Sequence, residues 1–284
     1  MYAPLLQFLG TYGKIMSSFV EKGEYIMEGF IRATAWTMEK PTPYGSFHLL
    51  ASLIGFALAF FLAWRLRKVG EKGHRAVLAV CGGLLLLFEL YKQLFYFYVD
   101  GNGHYVWWIF PFQMCSVPMY LCLIIPWLKT GKISQSMLNF MMTYNLLGGL
   151  MAFIEPSGIV HGYWTLTLHA FVWHMMLVFI GVYLIFSKRG GRSFGSFKQA
   201  TVVFWILSAV AFGLNVALRG VSGGSVNNFY LGPSNTPLAV FKQITEATAW
   251  YVNTPIYIIA LMLGAFIVFL PVYLLHKKKE KVYA

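Results

Sequence analysis

Four side chains that could take part in chemistry lie inside long apolar stretches of this sequence: Glu89, Cys115, His169 and His174. Ionisable residues are expensive in the hydrocarbon core of a membrane, and those that occur there are usually functional. A thiol and an imidazole can act together as nucleophile and general base. A structural role is the alternative for each: a lone membrane cysteine is most often a small core residue, and Glu89 could simply neutralise Lys92, three residues away.

The two histidines are five residues apart, so they point in different directions from one helix. We therefore expect at most one of them, His169 or His174, to lie in a site. The other would only bond a neighbouring carbonyl.

Composition places the chain among membrane proteins. The 284 residues are 58% hydrophobic and 11% charged, whereas a soluble domain has about 25% charged residues. All three cysteines lie in apolar segments, so they indicate neither a disulfide framework nor a redox compartment.

The net charge of +12 does not indicate nucleic-acid binding. The basic residues form short clusters beside apolar stretches, which is the pattern of the positive-inside rule rather than of a basic binding face. Residues 1–40 also lack the basic start and clean apolar core of a cleavable signal peptide.

Seven apolar stretches approach the ~20 residues that a helix needs to cross a bilayer. They are 46–66, 76–99, 108–128, 136–154, 163–186, 198–218 and 252–275. Alternate loops differ in charge: 64–75 carries five Lys and Arg residues, whereas 100–107 and 155–162 carry none. The sequence thus predicts an all-α polytopic membrane protein with seven transmembrane helices, the N-terminus outside and the C-terminus cytoplasmic.

Three segments complete the predicted organisation. Residues 1–44 alternate apolar and charged positions, which indicates an amphipathic interfacial segment or a soluble cap packed on the outer face. Residues 45–276 form the transmembrane domain, with a basic cytoplasmic tail at 277–284. The external loop 219–251 is long, contains a possible short helix at 237–249 and is predicted to cover a site, because long ordered loops are often functional lids.

The third stretch carries the most informative cluster. Gln113, Cys115 and Ser116 follow Pro111, and a proline frees a backbone carbonyl that lipid cannot satisfy. We expect this turn to face protein or a water-filled cavity in the outer half of the bundle, where Glu89, Cys115 and His174 converge. Supporting candidates at similar depth or in the loop above are Gln93, Gln113, Ser116, His169, Asn215, Asn228, Tyr230 and Trp250.

Several common catalytic motifs are missing from the sequence. It contains no His-Glu-x-x-His, no Cys/His cluster with metal-ligand spacing and no phosphate-binding glycine loop. We therefore expect neither a metal nor a cofactor.

Four stretches together resemble the YwaF-like family of bacterial integral membrane proteins, which are related to a eukaryotic multi-span family described as phospholipid acyltransferases. They are Tyr44–His48 (YGSFH), Pro111–Cys115 (PFQMC), Thr167–Phe186 with both histidines, and Val226–Pro237 with the later Ala249–Tyr251. The likeness covers about residues 44–275. Gln113 stands where the bacterial pattern has histidine, and the cysteine of the eukaryotic branch could align with either Cys115 or Phe112.

The resemblance implies a plasma-membrane acyltransferase that acts on acyl lipids through a thioester on Cys115, with His174 as base. Gln113 or Asn215 would donate to the oxyanion, and Glu89 would orient the histidine. The alternative is a protein that binds lipid or another small amphiphile, or resembles a permease, without a reaction, and the glutamine at position 113 favours it. A third alternative, a structural membrane subunit, leaves the polar residues unexplained. The oligomeric state is not predicted.

Overall fold

The computed structural model describes residues 21–234, 236 and 238–283, and these form helices and no β-strand. Ten α-helices follow one another in the described part of the chain. They are α1 (21–33), α2 (Ser46–Leu66), α3 (Glu71–Phe95), α4 (Val117–Ile124), α5 (Lys132–Phe140), α6 (Leu146–Ile154), α7 (Trp164–Phe186), α8 (Phe194–Ala217), α9 (Ala239–Ala247) and α10 (Trp250–Tyr283). A π-helical turn, Met141–Asn145, joins α5 to α6, and another, Tyr96–Asp100, extends α3.

Six helices are long and apolar enough to cross a membrane among the described residues. They are Ser46–Leu66, Glu71–Asp100, Lys132–Ile154, Trp164–Phe186, Phe194–Ala217 and Trp250–Lys278. Each coincides with one of the predicted stretches, so the prediction of a polytopic helical membrane protein is confirmed to that extent. A helix satisfies its own backbone hydrogen bonds, which is why apolar runs of this length adopt it in lipid.

The third predicted stretch, 108–128, differs from the other six because it is not one continuous helix. Its helical part, Val117–Trp127, has 11 residues and ends in a 3₁₀ turn. Pro118 lies in the first turn of this helix, where its missing N–H costs nothing, and Pro111 disfavours helical backbone at Phe110. We call the non-helical part, residues 110–116, the broken segment.

This interrupted stretch nevertheless runs alongside α3 in the opposite direction. At one end Gln93 donates to the carbonyl of Ile109 (3.0 Å), and at the other Arg75 donates to the carbonyl of Pro126 (3.0 Å). Arg75 and Gln93 are separated by about 27 Å along α3, at ~1.5 Å per residue. Residues 109–126 therefore extend over nearly the whole length of that helix.

The core lies where α7 packs against α6 and where α5–α6 packs against α8. Gly181 of α7 allows close approach, because a Cβ there would lie 2.6 Å from the Cβ of Leu146. The Tyr144 ring stacks on Phe204 at 4.6 Å, and both side chains are fully buried. These contacts hold the middle of the bundle rigid.

The two ends of the bundle differ. We call the end that carries Arg75, Lys188 and Arg189 the basic end, and the opposite end, with the connections 96–107, 155–163 and 218–249, the loop end. The chain before α2 closes the loop end: Ile31 is buried against Phe95, and Met38 donates to the carbonyl of Gly162 (2.9 Å). Residues 1–20 of the predicted interfacial segment lie outside the described residues.

Candidate functional site

Because the broken segment is not helical, carbonyls in it and beside it have no helical hydrogen-bond partner. Side chains donate hydrogen bonds to three of these carbonyls. Gln93 bonds Ile109 at 3.0 Å, Tyr120 bonds Pro111 at 2.6 Å, and the Trp173 indole bonds Cys115 at 3.1 Å. An unpaired carbonyl in a membrane interior costs several kcal/mol. These three donors therefore allow a non-helical turn to exist at this depth.

Cys115 lies at the end of the broken segment, half-buried. The neighbouring Ser116 is 2% exposed. Its carbonyl is held by Trp173, whose ring also stacks on His169 (centroids 5.8 Å apart) and lies 5.9 Å from the Lys92 ammonium. Trp173 thus links the broken segment to α3 and α7.

Glu89 and Lys92 form an ion pair (2.8 Å), the arrangement that the sequence left open. Gln93 donates to the same carboxylate at 2.7 Å. The two charged side chains are 5% and 20% exposed, so the charges compensate each other in a largely buried place. The ammonium of Lys92 also interacts electrostatically with Cys115 and His174.

The two histidines have different partners. His169 bonds the carbonyl of Phe88 (3.0 Å), across the interface with α3. His174 bonds the carbonyl of Ala170 in its own helix (2.8 Å) through Nδ1. A carbonyl can only accept, so Nδ1 carries the proton, and in the neutral ring the lone pair is on Nε2. Nε2 makes no hydrogen bond among the described residues, which leaves it available as a base.

Cys115 and His174 do not hydrogen-bond to each other in the described structure, but residues next to each of them contact the same helices. Trp173, the residue before His174, holds the Cys115 carbonyl. His174 also shares a helix face with Leu177 and Val178, which contact Gly149 of α6. Met114, next to Cys115, packs against Gly148. Residues next to both candidates thus contact adjacent glycines of α6.

Gln113 connects the broken segment to the long loop. Its amide donates to the carbonyl of Asn227 (3.2 Å), and its oxygen accepts from the N–H of Phe229 (3.0 Å). The Phe229 ring stacks on Phe112 at 5.9 Å. Both polar atoms of Gln113 are therefore engaged with the loop rather than directed at a substrate.

Asn215 also binds the loop. Its amide donates to the carbonyls of Asn228 (3.0 Å) and Gly232 (2.9 Å), and its oxygen accepts from the N–H of Asn228 (2.6 Å). Gly232 has φ +79°, and a Cβ there would meet the Trp250 ring at 2.5 Å, so only glycine fits beneath that ring. These contacts fix residues 228–232 over the broken segment.

One buried and one partly buried residue, Asn228 and Tyr230, lie in the loop segment that Gln113 and Asn215 hold. The side chain of Asn228 is fully buried, and neither of its polar atoms has a hydrogen-bond partner among the described residues. Burial raises the pKa of Tyr230 to about 12, and its phenol also interacts with Cys115 and Glu155.

Sequence reasoning missed Trp173, Tyr120 and Tyr257. Tyr257 of α10 is buried and interacts electrostatically with Cys115 and Tyr230. Trp173 adjoins a candidate histidine, but nothing in the sequence indicates that its indole bonds a carbonyl of another segment. Within the described part of the chain, no three His, Cys, Asp or Glu residues come together as metal ligands.

Comparison with known proteins assigns a family. No curated protein and no solved structure matches the chain. The family model for the TMEM164 family matches residues 43–273, which include Cys115, His174 and the long loop after α8. This match spans most of the 284 residues, and the chain therefore belongs to the TMEM164 family of multi-span membrane proteins.

Proposed function

We propose that this protein transfers acyl groups between membrane lipids, with Cys115 as nucleophile and His174 as general base. One observation carries the proposal: Cys115 lies on a non-helical turn inside a membrane bundle, tied through Trp173 to a histidine whose Nε2 has a free lone pair. A continuous helix would pair its own backbone groups, whereas this turn leaves carbonyls for side chains to bind, which supports a site at Cys115.

The reaction has two balanced steps. His174 Nε2 takes the thiol proton, the thiolate attacks an ester carbonyl of the donor lipid, and the departing alcohol takes the proton. The acceptor hydroxyl then attacks the thioester and passes its proton to Nε2, and the Cys115 thiol is regenerated. The thiol and imidazole must approach each other when substrate binds, as catalytic pairs often do.

The other residues have supporting roles in this proposal. Glu89 and Gln93 hold Lys92 beside Trp173, and His169 stacks on the same indole. Gln113 and Asn215 hold the loop as a cover, where the sequence had suggested oxyanion donors. Tyr230 and the unpartnered amide of Asn228 are then the polar groups left to meet a lipid head group.

The proposed topology has seven crossings with the loop end outside the plasma membrane. Residues 109–126 lie along most of α3, which supports counting them as a crossing. Two exposed glycines with room for a side chain provide a matched test, Gly70 at the basic end and Gly158 at the loop end. In intact cells, an impermeant thiol reagent should label Gly158→Cys and not Gly70→Cys; the reverse pattern would contradict the orientation.

The acyl-transfer proposal is tested in membranes with a phosphatidylcholine that carries an alkyne-tagged acyl chain. We expect a hydroxylamine-sensitive label on the protein, lost in Cys115→Ser and strongly reduced in His174→Gln. Cys122→Ser is the matched control, because Cys122 is fully buried with its thiol 3.7 Å from the Met141 sulfur.

Two results would contradict the reaction. A label that survives in Cys115→Ser would place the chemistry elsewhere. If the wild type binds the lipid but takes no label, the protein is a lipid-binding protein without a reaction, which is the alternative that Gln113 favoured.

A further inference from the structure

A cavity of about 260 Å³ lies at the basic end of the bundle. It forms where the start of α3, the end of the 117–127 helix, the start of α5 and the end of α7 meet. Its charged lining residues are Glu71, Arg75, Lys188 and Arg189. None of them is among the residues around Cys115, so this cavity is separate from the proposed reaction site.

Two guanidinium groups are held in place at this cavity. Arg75 contacts the Glu71 carboxylate (3.3 Å) and donates to the carbonyl of Pro126 (3.0 Å). Arg189 contacts the other oxygen of Glu71 and donates to the carbonyl of Val69 (3.2 Å). A guanidinium has five N–H donors, so each keeps donors in excess of these bonds. A single carboxylate also neutralises only one of the two positive charges.

Lys188 adds a third positive charge, with no ion-pair partner among the described residues. Its backbone φ of +59° follows the last turn of α7, a position that favours glycine. Lys188 adopts this left-handed backbone although glycine would be less strained, and the residue lines the cavity. The cavity therefore has an excess of two positive charges.

Neutral donors complete the polar side. His74 is 3% exposed, and one ring nitrogen bonds the Tyr183 hydroxyl (3.0 Å); the other makes no hydrogen bond within the described chain. Thr130 also lines the cavity, immediately before the start of α5. Oxygen atoms of an anion would thus meet charged and neutral donors from several helices.

The opposite side of the cavity is apolar. Ile125, Leu128 and Leu138 line it, and Trp127 and Ile133 beside it are 85% and 71% exposed. Exposed tryptophan at the end of a membrane bundle suits the interface between head groups and acyl chains. The cavity thus has cationic and apolar lining residues, together with polar Ser134 and Gln135, and exposed apolar side chains next to it, which fits an amphiphile better than a free ion.

We propose that this basic-end cavity binds the phosphate group of an anionic membrane lipid, whose acyl chains lie along Trp127 and Ile133. Basic pockets between transmembrane helices suit such head groups. The volume is below the roughly 300–1,000 Å³ of sites for drug-sized ligands, which fits a small phosphate-bearing head group. This proposal is independent of the acyl-transfer proposal.

Binding to the purified full-length protein in neutral detergent provides the test, with dioctanoyl phosphatidylglycerol, dioctanoyl phosphatidylcholine and inorganic phosphate as probes. We expect saturable binding of phosphatidylglycerol and at least tenfold weaker binding of phosphatidylcholine. Lys188→Gln should weaken phosphatidylglycerol binding about fivefold, the contribution of one basic residue near a membrane surface. Lys72→Gln is the matched control, a lysine at the same end that does not line the cavity, and it should change binding less than twofold.

Arg75→Gln is a second test variant, which should also weaken binding severalfold, so the result does not depend on one substitution. If inorganic phosphate competes as well as the lipid does, the ligand is a soluble phosphate ester, and the phosphate site stands with a different source. Equal binding of phosphatidylcholine, or equal effects of Lys72→Gln and Lys188→Gln, would overturn the proposal.

Discussion

Charged side chains are paired near Cys115, whereas cations are in excess at the basic-end cavity. Near Cys115, Glu89 neutralises Lys92, and side chains satisfy the carbonyls at Ile109, Pro111 and Cys115. At the basic end, Glu71 is shared by two arginines while Lys188 has no carboxylate partner in the described chain. The same residue types thus form a balanced network at one place and an excess of cations at the other.

The difference follows from the access of water to the charged groups, since the Glu89 side chain is 5% exposed and that of Glu71 is 54% exposed. Deep in the bundle an unpaired charge is too expensive to keep, so Glu89 and Lys92 neutralise each other there. At the end of the bundle water solvates surplus charge, so cations can remain unpaired and available to a ligand. Polar residues in the first region therefore position one another, and those in the second can bind something else.

The largest expected effect comes from the same substitution at both places. Glu89→Gln leaves Lys92 largely buried without its partner and should destabilise the protein by about 3–5 kcal/mol. Glu71 is 54% exposed, so Glu71→Gln should cost less than about 1 kcal/mol. Unfolding in detergent, followed by tryptophan fluorescence, measures both; equal effects would show that the two regions do not differ in the way described.

A smaller effect is expected where the loop meets the bundle. Asn215→Ala removes three hydrogen bonds to the backbone of residues 228 and 232, so we expect a loss of about 2–3 kcal/mol and faster hydrogen exchange across 226–232. Thr254→Val removes one bond to the loop, to the carbonyl of Leu231 (2.9 Å), together with the hydroxyl's bond to the Trp250 carbonyl in its own helix (2.8 Å), and serves as the graded comparison. Unchanged exchange in Asn215→Ala would mean that packing, rather than these bonds, holds the loop.

The smallest expected effect tests Trp173 as a positioning residue. Trp173→Phe keeps an aromatic ring near Lys92 but removes the N–H that bonds the Cys115 carbonyl. The loss of one hydrogen bond, about 1 kcal/mol, should slow thioester labelling twofold to tenfold. Trp205→Phe is the control, since Trp205 is half-exposed on α8. If the two variants label at the same rate, the bond to Cys115 does not position the thiol.

For the broken segment, the sequence predicted the environment but not the hydrogen-bond partners. Pro111, Gln113 and Cys115 indicated a non-lipid environment, because prolines free carbonyls and polar side chains avoid lipid. The donors for those carbonyls, Tyr120 and Trp173, could not be foreseen, since they depend on which helix lies opposite. The basic residues between the apolar stretches indicated topology, but not that three of them, Arg75, Lys188 and Arg189, line one cavity.

The sequence by itself determined the class of the protein, six of its membrane helices and the list of polar residues that lipid would not tolerate. These properties depend on local composition, because an apolar run of sufficient length must become a helix in a bilayer. The tertiary structure decided which polar groups satisfy each other and which remain available, because helix packing brings together residues far apart in the chain. Glu89 became the partner of Lys92, His174 kept a free nitrogen, and Lys188 was left beside an open cavity.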